Sequence, residues 1–170
     1  LFTEMVNATS LEMGHGLGKV EELSEEKGPI GVQLFDHRPH AMADAARRAE
    51  AAGAYLIDIN MGCPVRKIAR KGGGSGLIQD PDLARRIVAA VADAVQIPVT
   101  VKTRLGWCGS NAEPVQWCRQ LQEAGAQLLT LHGRTREQHF KGNADWDAIA
   151  AVKQALTIPL IANGDIKTPD

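Results

Sequence analysis

A helix-to-strand junction occupies residues 52–60, which read AGAYLIDIN, and it recurs at residues 124–132 as AGAQLLTLH. In both copies a glycine ends a segment of helical pattern, and a short aliphatic run follows within a few residues. A second phrase, Ile-Pro before an aliphatic residue, occupies residues 97–99 and 158–160. The repetition indicates that one strand–helix unit is used several times along the chain.

The rest of the chain alternates in the same way. Six aliphatic runs are predicted as strands, at residues 3–6, 31–35, 56–60, 99–103, 128–132 and 160–163. Helices are predicted to begin at Pro39, at Asp80-Pro81, at Ser110 or Asn111, and near Asp145. The strand runs are nearly continuous in hydrophobicity, as a parallel sheet buried on both faces requires. Two α/β architectures accept this pattern, a doubly wound open sheet and a (β/α)8 barrel.

Polar residues at the strand ends distinguish the two architectures. Four of them stand at or beside the carboxyl ends of different strands and a fifth lies within another strand: Asn60, Lys102, His132, Asn163 and Gln33. An open sheet gathers its chemistry at one switch point, whereas a barrel brings many strand ends to one centre. The pattern therefore favours the barrel. Because a full barrel takes about 250 residues, or about 30 per unit, the chain has room for about six units of an incomplete (β/α)8 TIM barrel.

Charge and cysteine content exclude several functional classes. Nineteen basic and twenty acidic side chains give a formal net charge of -1, so the chain does not coat nucleic acid by bulk charge, although a local basic patch remains possible. The three cysteines form no CxxC pair, which argues against a disulfide framework and against a zinc site. No apolar run approaches the roughly 18–20 residues that a membrane helix needs.

The stretch richest in chemistry is IDINMGCP at residues 57–64, followed by a basic and then glycine-rich segment at residues 65–76. Cys63 comes just after the end of a predicted strand, in a tight turn shaped by Gly62 and Pro64. In a barrel this position faces the mouth. A cysteine there can serve as a nucleophile, a metal ligand or a proton donor.

This stretch resembles the signature of the tRNA-dihydrouridine synthases. Other phrases agree, in the family's order: GVQL at 31–34, VKTRLGW at 101–107, HGRT at 132–135 and IANGDI at 161–166. The resemblance implies that residues 1–170 form part of an FMN-binding (β/α)8 barrel domain, strands two to seven of eight. It also implies that the first and last barrel units and a C-terminal helical RNA-binding domain lie outside these residues.

The resemblance implies FMN as the cofactor and assigns residues to it. Gln33 matches the residue that bonds the isoalloxazine edge, and Lys102 matches the lysine beside the flavin's pyrimidine ring, where a cation stabilises reduced FMN. His132 resembles a histidine of the flavin pocket. The loop after the last predicted strand matches the one that holds the phosphate, and it contributes Asn163, Gly164 and Asp165.

The implied reaction reduces a uridine of tRNA to 5,6-dihydrouridine in the cytoplasm, with NADPH as the electron source. Hydride passes from reduced FMN to C6 of the uracil, and Cys63 donates a proton to C5. Asn60 resembles a residue that engages the uracil edge. The target base must be extruded from folded tRNA, and phosphate contacts at Arg66, Lys67 and Arg134 are expected to offset that cost.

Two other functions accept parts of the pattern. One is a flavin oxidoreductase for free pyrimidines or dihydroorotate on the same barrel, although such enzymes lack the full cysteine signature and the basic run behind it. The other is a non-catalytic RNA-binding fragment. Because six strands would leave two open sheet edges, the 170-residue chain alone is expected to be poorly stable and to bind FMN weakly.

Overall fold

The computed structural model describes residues 1–15, 28–109 and 112–168, which form one parallel sheet with helices between its strands. The strands are β1 (Val6–Asn7), β2 (Gly31–Phe35), β3 (Leu56–Met61), β4 (Val99–Arg104), β5 (Leu128–His132) and β6 (Leu160–Asn163). The helices are α1 (Ala8–Glu12), α2 (Pro39–Ala51), α3 (Arg66–Ala69), a 3-10 helix (Gly74–Gln79), α4 (Pro81–Ala92), α5 (Pro114–Glu123) and α6 (Trp146–Ala155).

The strands are hydrogen-bonded in the order in which they occur in the chain, from β1 to β6, and every pair is parallel. A doubly wound sheet reverses its order at a switch point, and this sheet shows no reversal among its six strands. Consecutive right-handed crossovers place all helices on one side of such a sheet. The arrangement is that of a (β/α)8 barrel in part, as the sequence predicted.

The six predicted strands are confirmed; β3 and β4 each extend one residue further than predicted, and a larger difference occurs at the first strand. Residues 3–5 were expected to belong to it, but β1 begins at Val6. The backbone N–H of Gln33 donates to the side-chain hydroxyl of Thr3 at 3.2 Å, so a side chain occupies a place that a backbone carbonyl would take in a regular ladder.

Three of the four predicted helix starts are confirmed, two by a side-chain cap and one by a proline at its first position. Asp80 accepts from the N–H of Leu83 at 3.0 Å, Asp145 caps α6 in the same way, and Pro39 is the first residue of α2. The fourth expectation, a cap at residues 110–111, lies outside the described residues. Helix α5 itself begins at Pro114.

The two faces of the sheet differ more than the sequence suggested. Residues with no exposed surface point toward the helices and build the core: Val32, Leu34, Ile57, Ile59, Met61, Val101, Leu129 and Leu131. Alternate positions, on what we call the inner face, carry polar side chains instead: Gln33, Asp58, Asn60, Thr100, Lys102, Thr130 and His132. The expectation of strands apolar on both faces was therefore wrong, because hydrophobic residues dominate only the helix-facing positions. The polar side chains that could bind a ligand therefore lie on the inner face.

Candidate active site

The parallel register brings the polar strand ends together on the inner face. Asn60 is paired in register with Lys102, and His132 with Asn163. The ammonium of Lys102 donates to Oδ1 of Asn163 at 3.3 Å, which joins β4 to β6 across β5. These four residues, which the sequence placed on four different strands, thus form one cluster.

The fifth predicted residue, Gln33, belongs to a hydrogen-bonded chain on the neighbouring strands. Its Nε2 donates to Asp58 at 2.6 Å, and its Oε1 accepts from Nδ2 of Asn60 at 2.9 Å. Asp58 also accepts from the hydroxyl of Thr100 at 2.6 Å. Burial raises the pKa of Asp58, while these two hydrogen bonds and the charge of Lys102 oppose that effect.

Asn60 uses all of its hydrogen-bonding capacity within the protein. Its Nδ2 donates to Gln33 and to the sulfur of Met5, while its Oδ1 accepts from the backbone N–H groups of Gly62 at 3.2 Å and Cys63 at 2.9 Å. In the structure this side chain holds the turn that carries Cys63. Its expected contact with the uracil edge stays a prediction.

Cys63 is partly exposed, directly after β3, as the sequence predicted. Its carbonyl oxygen accepts from the N–H of Ser75 at 3.1 Å. Gly74 has a φ of +54°, and a Cβ there would come within 3.0 Å of the same carbonyl oxygen. The glycine-rich segment after the basic run thus packs against the cysteine turn.

Arg104 is a site residue that the sequence reasoning did not single out. It is 4% exposed, and its Nε donates to the carbonyl oxygen of Gly62 at 2.9 Å, while a terminal nitrogen reaches the carbonyl oxygens of Thr135 and His139. Burial and the charge of Arg134 lower the pKa of Arg104. Its position two residues after Lys102 on one strand was the available signal, since alternate residues share a face.

His132 is 8% exposed, and its Nδ1 has no hydrogen-bond partner in the described part of the chain. Burial lowers the pKa of this imidazole to about 4, and the nearby charges of Arg104, Lys102 and Arg134 act in the same direction. The ring is therefore neutral at physiological pH. It can exchange a hydrogen bond with a ligand without bringing a further positive charge into a cationic cluster.

The loop after β6 adopts left-handed backbone conformations at two successive residues. The φ of Gly164 is +112° and that of Asp165 is +56°. A Cβ on Gly164 would lie 3.3 Å from Cε1 of His132 and 3.1 Å from the side chain of Ala144, so only glycine fits there without displacement. Successive N–H groups in such a loop form a concave site that suits an anion.

The same loop is fixed by Arg134, whose predicted role is not supported. One of its terminal nitrogens donates to both carboxylate oxygens of Asp165 at 2.8 Å and to the carbonyl oxygen of Gly142 at 2.7 Å. The guanidinium is only 5% exposed and is committed to the protein. A guanidinium so placed does not favour the expected contact with RNA phosphates at the pocket mouth. Hydrogen bonds from Ala144 and Arg134 lower the pKa of Asp165.

Arg66 and Lys67, in contrast, are exposed on the short helix α3, three and four residues after Cys63. Lys67 and Lys71 also line a cleft of about 510 Å³ between α1 and the loop after β2. A further cavity of about 390 Å³ lies on the helix side, beside Trp107 and Trp117, and contains none of the predicted site residues. Exposed cations therefore follow the cysteine turn along the chain.

The geometry of the strand-end residues on the inner face fits a flavin ring and its phosphate. It combines the unpartnered Nδ1 of His132, the glycine cradle at Gly164 and the half-buried ammonium of Lys102, of whose three N–H donors one is directed to Asn163. No group of three or more His, Cys, Asp or Glu side chains able to hold a metal ion occurs within residues 1–15, 28–109 and 112–168. Among the same residues, no helix is long and apolar enough to cross a membrane.

Comparisons with known proteins agree with this geometry. The family model described as dihydrouridine synthase (Dus) matches residues 1–170. The chain is 57% identical over 166 residues to "Probable tRNA-dihydrouridine synthase 1" of Synechocystis sp., covering 98% of this chain and 47% of that protein. It is 51% identical over 146 residues to tRNA-dihydrouridine synthase B of Serratia marcescens, covering 86% and 44%. The chain thus spans slightly less than half the length of these curated relatives.

Solved structures of TIM-barrel enzymes share the fold at much lower identity. Histamine dehydrogenase from Rhizobium sp. 4-9 superposes on all of this chain, using 36% of its own length, with a TM-score of 0.69 and 14% identity. A putative lyase/mutase from Burkholderia cenocepacia J2315 covers 98% of this chain with 62% of its own, with a TM-score of 0.62 and 19% identity. At this level of identity the similarity establishes the barrel architecture alone.

Proposed function

Since the chain belongs to the dihydrouridine synthase family, we propose that the whole protein reduces a uridine of tRNA to 5,6-dihydrouridine, with FMN as cofactor and NADPH as reductant. The observation that carries this proposal is the convergence of Lys102, His132 and Asn163 beside the Cys63 turn on one sheet face. A cytoplasmic location follows from a tRNA substrate.

In this proposal six residues hold the flavin: Gln33, Lys102, His132, Asn163, Gly164 and Asp165. Gln33 and Lys102 face the ring, and the neutral imidazole of His132 supplies a hydrogen bond through its free nitrogen. Asp165 contributes through its backbone, because its carboxylate is engaged by Arg134 and by the N–H of Ala144 at 2.7 Å. When bound, FMN supplies a hydride to C6 of the uracil ring.

Cys63 is proposed to donate the proton that completes the reduction at C5. A protonated thiol can act as the acid in such a transfer. The thiolate left behind takes a proton from water. Hydride and proton together add two hydrogens across the C5–C6 bond, and NADPH is oxidised in the complete cycle.

Two site residues act on this step from the protein side. Asn60 holds the N–H of Cys63, and Arg104 holds the carbonyl oxygen of Gly62, so the turn is fixed from both of its polar edges. A proton donor gains rate from such fixed placement, since a displacement of about 1 Å costs up to about a hundredfold. We therefore propose that Asn60 serves the reaction by holding the turn, and that it also lies beside the uracil edge.

The proposed RNA contacts are Arg66 and Lys67. Both are exposed within one turn of the cysteine loop, where the backbone of an extruded nucleotide would pass. Arg134 has no part in this contact, because its guanidinium is buried. Phosphate contacts of this kind carry no sequence information, so the choice of uridine rests on other parts of the protein.

We also propose that residues 1–170 are a middle portion of the catalytic barrel, strands two to seven, in a longer protein with a helical RNA-binding domain. The six consecutive parallel strands and the coverage of 47% of the Synechocystis relative support this arrangement.

The test is mass spectrometry of tRNA after incubation with the full-length protein, FMN and NADPH. We expect one uridine to gain two hydrogens. Reduction of free uracil or dihydroorotate instead of tRNA would favour a small-molecule flavin oxidoreductase, and tRNA binding without a mass gain would favour a non-catalytic protein.

The variant Cys63→Ala tests the role of the thiol. We expect the rate of uridine reduction to fall about 10²- to 10⁴-fold, with flavin affinity within a factor of about two of the wild type. Cys108→Ala, which removes a partly exposed thiol elsewhere, is the matched control and should keep the wild-type rate. A Cys63→Ala protein as fast as this control would refute the assignment.

A further inference from the structure

Asp58 is a buried acidic residue to which the proposed reaction gives no task. It lies on β3 two residues before Asn60, on the same face, and is 3% exposed. One of its carboxylate oxygens accepts from Nε2 of Gln33 at 2.6 Å, and the other accepts from the hydroxyl of Thr100 at 2.6 Å. Burying a carboxylate costs stability unless its hydrogen bonds are made, so a buried Asp58 is a candidate for a role in the site.

The carboxylate determines the orientation of the two amides next to it. Both carboxylate oxygens of Asp58 accept hydrogen bonds, so the NH₂ group of Gln33 faces Asp58 and its oxygen faces Asn60. Asn60 then has to present its own NH₂ group to Gln33 and its oxygen to the opposite side. That oxygen accepts from the N–H groups of Gly62 and Cys63.

We infer that Asp58 is a positioning residue that orients the amides of Gln33 and Asn60 and thereby holds the backbone of Cys63. The inference deepens the proposed function and rests on it for the role of Cys63. If the Gln33 amide were reversed, two NH₂ groups would face each other, and the Asn60 oxygen would be drawn away from the cysteine turn.

The chain also links the two reactive ends of the site. Gln33 is the residue proposed to touch the flavin ring, and its amide has one N–H and one oxygen lone pair left after its bonds to Asp58 and Asn60. The same orientation that presents these groups to the ring fixes the cysteine turn. One buried carboxylate thus sets the positions of the proposed flavin-ring contact at Gln33 and of the proton donor Cys63 relative to each other.

Four variants of the full-length protein, loaded with FMN, separate positioning from general stability. Asp58→Ala removes the acceptor, whereas Asp58→Asn keeps an oxygen for Gln33 and an NH₂ group for the Thr100 hydroxyl oxygen. Gln33→Glu places two carboxylates together. The double variant Gln33→Glu with Asp58→Asn restores a donor between the two positions and still leaves an acceptor for Asn60.

The matched control is Thr100→Val, which removes a hydrogen bond of the same length from the same carboxylate but leaves its bond to Gln33. The direct readout is hydrogen exchange at the backbone N–H groups of Gly62 and Cys63, which does not depend on turnover. The second readout is kcat and KM for uridine reduction in tRNA.

We expect Asp58→Ala to accelerate exchange at these two N–H groups at least about tenfold, the size of effect that one lost buried hydrogen bond produces. Its kcat should fall by a similar factor with KM little changed. Asp58→Asn and Thr100→Val should keep the slow exchange. Gln33→Glu should lose it, and the double variant should regain it.

The inference is overturned if Asp58→Ala exchanges at Gly62 and Cys63 no faster than Thr100→Val. Where Asp58→Ala fails to fold, the comparison of Gln33→Glu with the double variant decides, and equal exchange in the two overturns the inference. A wild-type protein that shows slow exchange but never reduces tRNA would refute the proposed function while leaving the amide orientation in place.

Discussion

The imidazole of His132 shows how a single side chain acquires its chemistry from its surroundings. Three cationic residues, Lys102, Arg104 and Arg134, surround it, and its own burial is the largest cause of a pKa of about 4. A histidine on the surface would titrate near 6.5. The neutral ring with a free nitrogen is therefore a product of the fold.

This property predicts a dependence of stability on pH. In the unfolded chain His132 binds a proton as the pH falls through about 6.5, whereas the folded protein resists protonation down to about 4. The unfolded state binds more protons in this window, so stability falls as the pH falls from about 6.5 to 4. His132→Asn should reduce that loss.

The measurement is the Tm of the wild type and of His132→Asn between pH 7.5 and 4. The difference between the two should be constant above about pH 6.5 and should shift in favour of the variant below it. Carboxylates titrate alike in both proteins and cancel in the comparison. A difference that does not change with pH would contradict the neutral state of the ring.

At the scale of elements, the loops after β5 and β6 are joined by one ion pair. Arg134 and Asp165 hold the left-handed turn at Gly164, which we propose as the phosphate site. Arg134→Gln should therefore lower FMN affinity by about tenfold or more, because it removes the ion pair and the hydrogen bonds that hold this loop. Fluorescence titration with FMN measures this effect.

The salt dependence of tRNA binding by Arg134→Gln distinguishes a structural role of Arg134 from a phosphate contact. If Arg134 is structural, its loss leaves the slope of log affinity against log salt unchanged. A slope reduced by about one unit would restore Arg134 as a phosphate contact. Lys141→Gln, on the exposed end of the same loop, is the control for a change of charge alone.

For the exposed cations of helix α3 we expect the opposite result, a change in the salt dependence of tRNA binding. Arg66→Gln and Lys67→Gln should each weaken tRNA binding and reduce the salt slope by about 0.7 to 0.9, because each removes one phosphate contact. FMN affinity should stay at the wild-type value. Arg85→Gln, an exposed arginine on the helix side of the sheet, should leave both quantities unchanged. An unchanged slope in the α3 variants would move the RNA surface elsewhere.

At the scale of the whole molecule, the six strands form a continuous sheet in which, among the described residues, β1 and β6 each pair on one side only. Unpaired strand edges are sites of association and fraying. We expect the 170-residue chain expressed alone to unfold over a broad range and to bind FMN more weakly than the longer protein. Thermal unfolding followed by circular dichroism and flavin titration test this. A sharp transition with stoichiometric flavin would refute it.

Local features of the fold were predictable because a few neighbouring residues encode them. The starts of α4 and α6 depend on the side chains of Asp80 and Asp145 reaching an N–H three residues later, so they can be predicted without knowledge of the rest of the chain. The positions of Lys102 and His132 were also predictable locally, because each lies at or beside the end of a short aliphatic run. The division of the sheet into an apolar and a polar face was harder to predict. In strands of only a few residues, mostly aliphatic, the period-two alternation of polar and apolar side chains is difficult to recognise.

Hydrogen-bond partners across strands were not predictable. Arg134 and Asp165 are 31 residues apart in the sequence, and nothing near either residue identifies the other. The same holds for Arg104 and Gly62, which are 42 residues apart. The sequence placed Arg134 at the mouth of the site because it follows His132, but the direction of a side chain beyond a strand end depends on the neighbouring loop.

The sequence alone therefore determined the repeating strand–helix unit, the parallel order of the strands and the edge at which Cys63 and the polar residues lie. These properties follow from periodicity and capping, which act over a few residues. Only the tertiary structure decided that Arg134 is bound to Asp165, that Asn60 holds the cysteine turn and that His132 is neutral. Hydrogen bonds and pKa values depend on distances of a few ångströms between distant parts of the chain, and those distances exist only once the strands have paired.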